Sequence, residues 1–176
     1  MEIHKKIASW CAVAIALTSA IACDVIEEEL PSYAETSLVA EGDIAPDFCI
    51  ESLDGNIWHL SELRGEPLLL ILFSHTCPDC KALLDELQQQ LESEASLPTT
   101  IAISRGGSRE DILTYRSTNS YTITMAADTD KEIYYRYATM YVPRCYLIDS
   151  NGIIRYMTYE YTEGDIERIT DKYNNL

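Results

Sequence analysis

The sequence predicts an α/β fold, a central mixed sheet flanked by helices, preceded by an N-terminal β-hairpin extension. Three observations predict it. The unbroken apolar run Leu68-Leu69-Leu70-Ile71-Leu72-Phe73, bounded by Pro67 and Ser74, reads as a buried central strand. Lys81-Ala82-Leu83-Leu84-Asp85-Glu86-Leu87 follows with leucines at helical spacing, so a strand turns directly into a helix. Near the end of the chain, Asn151-Gly152 joins two further strand-like runs and marks a tight hairpin, which adds antiparallel pairing.

The elements follow in order. Residues 47–51 and 56–60 are short strand-like runs flanking Asp54-Gly55, a hairpin signal. Residues 61–64 form a turn of helix, broken by Gly65-Glu66-Pro67. A strand over 67–74 leads into a helix over 78–93, and residues 99–104 are another buried strand. Ser108, with Asp111 three residues on, resembles a helix cap and opens a helix to about Ser117. Residues 121–125 read as a short strand and 131–140 as a helix. Residues 145–149 and 153–159 are the last two strands, and 163–173 the final helix. The 176 residues suffice for one domain with a full core, and no internal repeat is present.

The chemistry is concentrated in Cys77-Pro78-Asp79-Cys80, at the junction of central strand and helix. A helix start offers unpaired N–H groups and partial positive charge, which stabilise a thiolate. Pro78 suits the first helical position, where a missing N–H costs nothing. A thiolate there attacks disulfides, and a thiol three residues on resolves the mixed disulfide.

The N-terminus reads as an export leader. Lys5 and Lys6 precede a mostly apolar stretch over 7–21, shorter than the roughly 20 residues of a membrane span. Ala20-Ile21-Ala22-Cys23 is similar to a bacterial lipobox, with cleavage before Cys23 and acylation of its thiol; the alternative is an ordinary signal peptide cut near Ala22. The expected organisation is a signal peptide over 1–22, a lipidated acidic tether over 23–36 and the folded domain over 37–176.

The chain carries 29 Asp and Glu against 13 Lys and Arg, a net charge of −16, and about −17 once the leader is gone. That charge opposes binding to nucleic acid or anionic headgroups, so membrane attachment is expected through lipid. Asp24-Val25-Ile26-Glu27-Glu28-Glu29 resembles the acidic run that routes some lipoproteins to the cell surface; a solvated tether is the equal alternative.

Of six cysteines, Cys11 leaves with the leader, Cys23 is the expected lipidation site, and Cys77 and Cys80 are the redox pair. Cys49 and Cys145 remain, each in an apolar setting. They are expected as buried free thiols, with a second disulfide between them as the alternative. No Cys/His group has zinc-site spacing, and no dissociable cofactor is needed.

These segments together resemble thioredoxin-fold proteins of the TlpA/ResA type, exported or membrane-tethered bacterial thiol–disulfide oxidoreductases. Residues 42–174 carry the resemblance. Ala45-Pro46-Asp47-Phe48, Leu53-Asp54-Gly55, Leu60-Ser61-Glu62-Leu63-Arg64-Gly65 and the strand into Cys77-x-x-Cys80 stand in family order and spacing. Tyr141-Val142-Pro143, continuing through Asn151-Gly152, resembles the segment holding the family's cis-proline. The resemblance implies that Pro143 faces the cysteine pair and that Val142 offers backbone groups to a bound peptide. It also implies protein disulfide or dithiol substrates, a separate redox partner, and a place in the bacterial cell envelope, periplasm-facing or on the surface.

Departures from the family pattern are specific. Thr76 stands where tryptophan is usual, Ile71 where thioredoxins bury an aspartate, and Leu83 where a glutamate is common. The usual proton acceptor for the resolving thiol is therefore missing. His75 and Asp79, with Lys81, are the titratable neighbours. Protonated His75 favours a thiolate and Asp79 opposes it, though each also reads as a rim residue or a helix-start acid.

Two other families share fragments. Peroxiredoxins place Ser or Thr three residues before the reactive cysteine, as Ser74 does, but want proline at Leu70 and arginine at Pro143, with Arg144 one place off. Sco-type copper chaperones share a Thr-His-Cys-Pro-Asp-like stretch but need a downstream histidine, and none follows His75. A thiol peroxidase and a non-enzymatic soft-metal or interaction lipoprotein are thus the alternatives. Tyr134, Tyr135, Tyr137 and Tyr141 read first as half-buried packing, and otherwise as the lining of a peptide groove beside Pro143.

Overall fold

The computed structural model describes residues 30–93 and 95–176. The leader, Cys23 and the acidic run lie outside the described residues. Residues from Pro31 to Leu176 form one compact unit.

Its centre is β3 (Leu68–Phe73), whose six side chains are all buried. Side chains on a strand alternate between faces. Leu68, Leu70 and Leu72 therefore enter one core with Phe48, Leu60, Tyr134, Tyr137 and Tyr146. Leu69, Ile71 and Phe73 enter the other, against Leu83, Leu84 and Leu87 of α1 (Pro78–Glu92) and Ile112 of α2 (Arg109–Thr118). Ile166 and Ile169 of α4 (Asp165–Tyr173) complete that second core.

On one side β3 pairs in parallel with β4 (Thr99–Arg105), and β4 with β5 (Met125–Asp128). On the other it pairs antiparallel with β6 (Arg144–Ile148), and β6 with β7 (Ile154–Thr158). The order β5-β4-β3-β6-β7 is the mixed five-stranded sheet expected from the sequence. Cys77 follows the end of the central strand, among the connections at the C-terminal ends of β3, β4 and β5, where parallel strands leave a crevice.

The extension is a two-stranded hairpin of β1 (Cys49–Glu51) and β2 (Ile57–His59). Its turn is braced by α2. Arg109 donates to the carbonyls of Ser52 and Leu53 at 2.9 and 2.8 Å, and Arg116 pairs with Asp54 at 2.9 Å. Ser108 and Asp111 form the capping box that opens α2, as the sequence signal implied.

Four expectations are corrected. The strand expected over 121–125 begins only at Met125. Tyr121, Ile123 and Met125 alternate inward as expected, but the N–H of Thr122 is taken by the Gln88 side chain at 2.9 Å, so pairing to β4 starts later. The helix expected over 131–140 shrinks to α3 (Tyr134–Tyr137). Lys131 has φ of +61°, and Ala138 is extended because it bridges Ser37.

That bridge belongs to the third correction. Residues 31–36, expected within the tether, lie on the domain as a strap. Leu38 N–H donates to the Tyr137 carbonyl and Thr139 N–H to that of Thr36, both at 2.9 Å. Fourth, Cys49 is exposed rather than buried, with its Sγ 3.5 Å from His59 Nε2 across the hairpin. Cys145 is buried as expected, and both thiols are free.

Candidate active site

Cys77 is the N-cap of α1, and Pro78 its first residue. The Cys77 sulfur accepts the N–H of Cys80 at 3.3 Å, a bond that strengthens as the sulfur gains negative charge. Cys77 is half-buried and reachable, whereas Cys80 is fully buried one turn behind it. Cys80 Sγ accepts the N–H of Ser74 at 3.4 Å. Burial pushes the Cys80 thiol far above the ordinary range, and the neighbouring Cys77 adds to this; the Ser74 N–H opposes it only in part.

The Val142-Pro143 peptide is cis. Pro143 is buried at the start of β6, and the Val142 carbonyl lies 3.6 Å from Cys77 Sγ, which donates to it. The cysteine pair and the Val142-Pro143 segment, expected together from sequence, are thus brought together by adjacent central strands.

Other expected shell residues diverge. Thr76, Pro78 and Asp79 are exposed. The Thr76 hydroxyl lies 3.1 Å from that of Ser74, bracing the loop that presents Cys77. His75 turns inward and meets the Tyr115 ring edge-on at 6.4 Å, leaving its Nδ1 buried without a hydrogen-bond partner. Gly107 makes room for it: its φ is +84°, and a Cβ there would stand 2.9 Å from His75 Cε1. Leu83 is fully buried in the core, so its position offers no acid to Cys80.

One residue near the site escaped the sequence. Tyr33 in the strap stacks on Tyr141 at 4.4 Å. Its hydroxyl is pushed up by burial, then by Glu160 and Asp79. Tyr141 holds a left-handed φ of +68°, uncommon for an aromatic residue, and its hydroxyl donates to the Pro31 carbonyl at 2.9 Å. Tyr134 and Tyr137 are buried packing as expected, and Tyr135 is exposed.

Arg144 follows Pro143 but is not available to Cys77. It is paired in register with Leu72 and so points to the opposite face from Cys80. Its guanidinium is fully buried and donates to the carbonyls of Met140, Tyr141 and Tyr33 and to the Thr36 hydroxyl. This removes the arginine that a peroxidase reading needs beside the reactive sulfur.

The AhpC/TSA family model matches residues 41–157. The chain belongs to the AhpC/TSA family. The thiol–disulfide oxidoreductase ResA of Bacillus subtilis is 25% identical over 136 residues, covering 76% of each chain. The thiol:disulfide interchange protein DsbE of Escherichia coli K12 is 28% identical over 175 residues, covering 94% of this chain and 91% of its own. Among solved structures, a putative protein disulfide isomerase from Bacteroides thetaiotaomicron superposes with a TM-score of 0.73 at 26% identity, over 80% of this chain and 91% of its own. Within its family the chain is a thioredoxin-fold thiol–disulfide oxidoreductase of the ResA/DsbE type.

Proposed function

We propose that this chain is an envelope-facing, lipid-anchored enzyme that exchanges electrons with protein disulfides, using Cys77 to attack and Cys80 to resolve. One observation carries the reading. The two sulfurs are unequal: Cys77 is reachable at a helix start and receives an N–H bond, while Cys80 is sealed behind it.

In the reducing direction the Cys77 thiolate attacks one sulfur of a substrate disulfide. The substrate S–S bond breaks, the distal sulfur leaves with its electron pair and takes a proton, and a Cys77–substrate mixed disulfide forms. Cys80 then attacks Cys77 Sγ, a Cys77–Cys80 disulfide forms, and the second substrate sulfur leaves. A redox partner returns the pair to dithiol by the reverse exchange. Pro143 supplies no donor, so the substrate backbone is held by groups of Val142.

The anchor rests on the small residues before Cys23, and the acidic tether gives lipid, not charge, the task of attachment. No nucleic acid, metal or dissociable cofactor enters.

The test uses the full chain. Cys77→Ser and Cys80→Ser are each expected to abolish catalysed reduction of a protein disulfide, and Cys80→Ser to accumulate a mixed disulfide through Cys77. Full turnover by Cys80→Ser overturns the dithiol mechanism. Cys23→Ser is expected to release the protein from membranes; mass spectrometry of an unlipidated wild-type chain with another N-terminus rejects the anchor.

A further inference from the structure

In a chain with 29 acidic and 13 basic residues, a half-buried cation that no carboxylate answers calls for a physical reason. Arg105, the last residue of β4, is such a cation. Its guanidinium carbon lies 4.5 Å from the centre of the Tyr134 ring. Its Nε is buried with no hydrogen-bond partner, while its two terminal nitrogens, equally unbonded, stay open. Among the described residues the guanidinium makes no ion pair. Asp128 stands opposite it in register on β5, but Asp128 Oδ2 accepts the Tyr134 N–H at 2.8 Å instead.

Contacts on two flanks place this cation beside the reactive sulfur. β4 runs parallel to β3 with Ser104 level with Phe73, so Arg105 stands at the end of the sheet that presents Cys77. Two residues on, Gly107 abuts the His75 ring in the loop leading to Cys77. On the other flank, the Tyr134 hydroxyl donates to the Tyr141 carbonyl at 2.8 Å, and the next carbonyl, that of Val142, is 3.6 Å from Cys77 Sγ. Arg105 thus lies on a ring that is itself bonded to the segment beside the thiol. Lys131 adds a second cation without an ion pair among the described residues. Its Cε is 3.1 Å from where a Cβ on Gly106 would stand, so its stem crosses the residue after Arg105.

We propose that Arg105, with Lys131 beside it, is a carboxylate subsite that selects protein disulfides bearing Asp or Glu near the reactive cysteine. The proposal rests on Cys77 being the attacking thiol. A guanidinium already seated on a ring has little freedom left to lose, and its two terminal nitrogens match the two oxygens of a carboxylate. One tyrosine and one residue of backbone separate Arg105 from Val142, on the order of 10 Å, or about three residues of extended chain. An acid at that spacing from the substrate cysteine comes level with Arg105. The net charge of −16 works against acidic partners elsewhere on the surface, so the subsite fixes the position of the acid and is no general attraction. It takes no part in the exchange of sulfurs.

The test reads the attack step with the reduced full chain. Two short peptides, alike except for Glu or Gln at the positions around a central cysteine, each carry a 2-pyridyl disulfide on that cysteine. Cys77 Sγ attacks the peptide sulfur, the S–S bond breaks, and pyridine-2-thione leaves and is counted. The Glu peptide is expected to react about fivefold or more faster than the Gln peptide at low salt. That ratio should fall toward one in about 1 M salt. Arg105→Gln is expected to bring the ratio to one or below, Arg105→Lys to keep part of it, and Lys131→Gln to lower it by less than Arg105→Gln does. A ratio at or below one in the parent chain, or a ratio that survives Arg105→Gln, overturns the subsite. So does equal slowing of both peptides by Arg105→Gln, the mark of a purely structural role. Cys77→Ser is the separate control: release there at the parental rate overturns the reading of Cys77 as the attacking thiol rather than the subsite.

Discussion

The two faces of the sheet, compared at the Cys77 end, treat a buried polar group in opposite ways. On the α1 face, Cys80 is sealed with one N–H bond, from Ser74. On the strap face, Arg144 is equally sealed, but three carbonyls and a hydroxyl accept from its Nε and Nη2, and only its Nη1 goes without a partner. A buried guanidinium stays charged and needs several acceptors to be tolerated, whereas a buried thiol can be stored neutral. The charged group anchors structure: it ties the strap to the Met140–Tyr141 segment before Pro143. The neutral group keeps its reactivity in reserve.

Arg144→Met offers the hardest test of that contrast. It leaves the Met140 carbonyl without a donor and the buried Thr36 hydroxyl without its partner, while the Tyr33 and Tyr141 carbonyls keep the Thr36 and Tyr134 hydroxyls, and is expected to cost about 3 kcal/mol or more. The urea midpoint measures it; a change below about 1 kcal/mol would show that Arg144 does not hold the strap.

Cys145→Ala sharpens the comparison within one core. Cys145 is as buried as Cys80, and burial pushes its thiol up to about 12, but it lies on β6 without a place at the helix start. Its removal is expected to cost about 1–2 kcal/mol and leave disulfide exchange intact. A tenfold loss of exchange at unchanged fold would break the distinction between stored and structural thiols.

The smallest effect is expected at Asp85. Burial raises its carboxyl, but hydrogen bonds from Lys81 and Tyr121 outweigh that and hold it below the usual carboxylate range. A depressed folded value adds stability above the unfolded pKa of about 3.9, and that stability is lost as pH falls through the folded value. Asp85→Asn should therefore lower stability at neutral pH by less than about 1 kcal/mol, because the pair is open to water and salt. Melts at decreasing pH should show the gap between the two proteins closing below about pH 4; a gap that widens in acid contradicts the sign.

The sequence made one part of this site legible and hid the rest for a physical reason. Cys77-Pro78-x-Cys80 and the segment around Pro143 are local signals: each sits on one strand end, and β3 and β6 are neighbours. The capping box at Ser108 and the hairpin at Asp54-Gly55 are equally local. The strap was hidden because its partners, Ala138 and Arg144, lie about a hundred residues away. The same strap ended α3 early, against its helical composition. The bond from Tyr121 to Asp85 was likewise hidden, because it exists only after α1 and the approach to β5 are assembled.

The brace between hairpin and α2 has a consequence for motion. Arg109 and Arg116 fasten both ends of α2 to the 52–54 turn, and Ser52 bridges Ala126 of the edge strand β5. Locally cooperative pieces of a protein open together, with one shared free energy. The extension, α2 and the sheet edge therefore constitute one such piece, and their amides should exchange with solvent deuterium at a common rate, apart from those of α1.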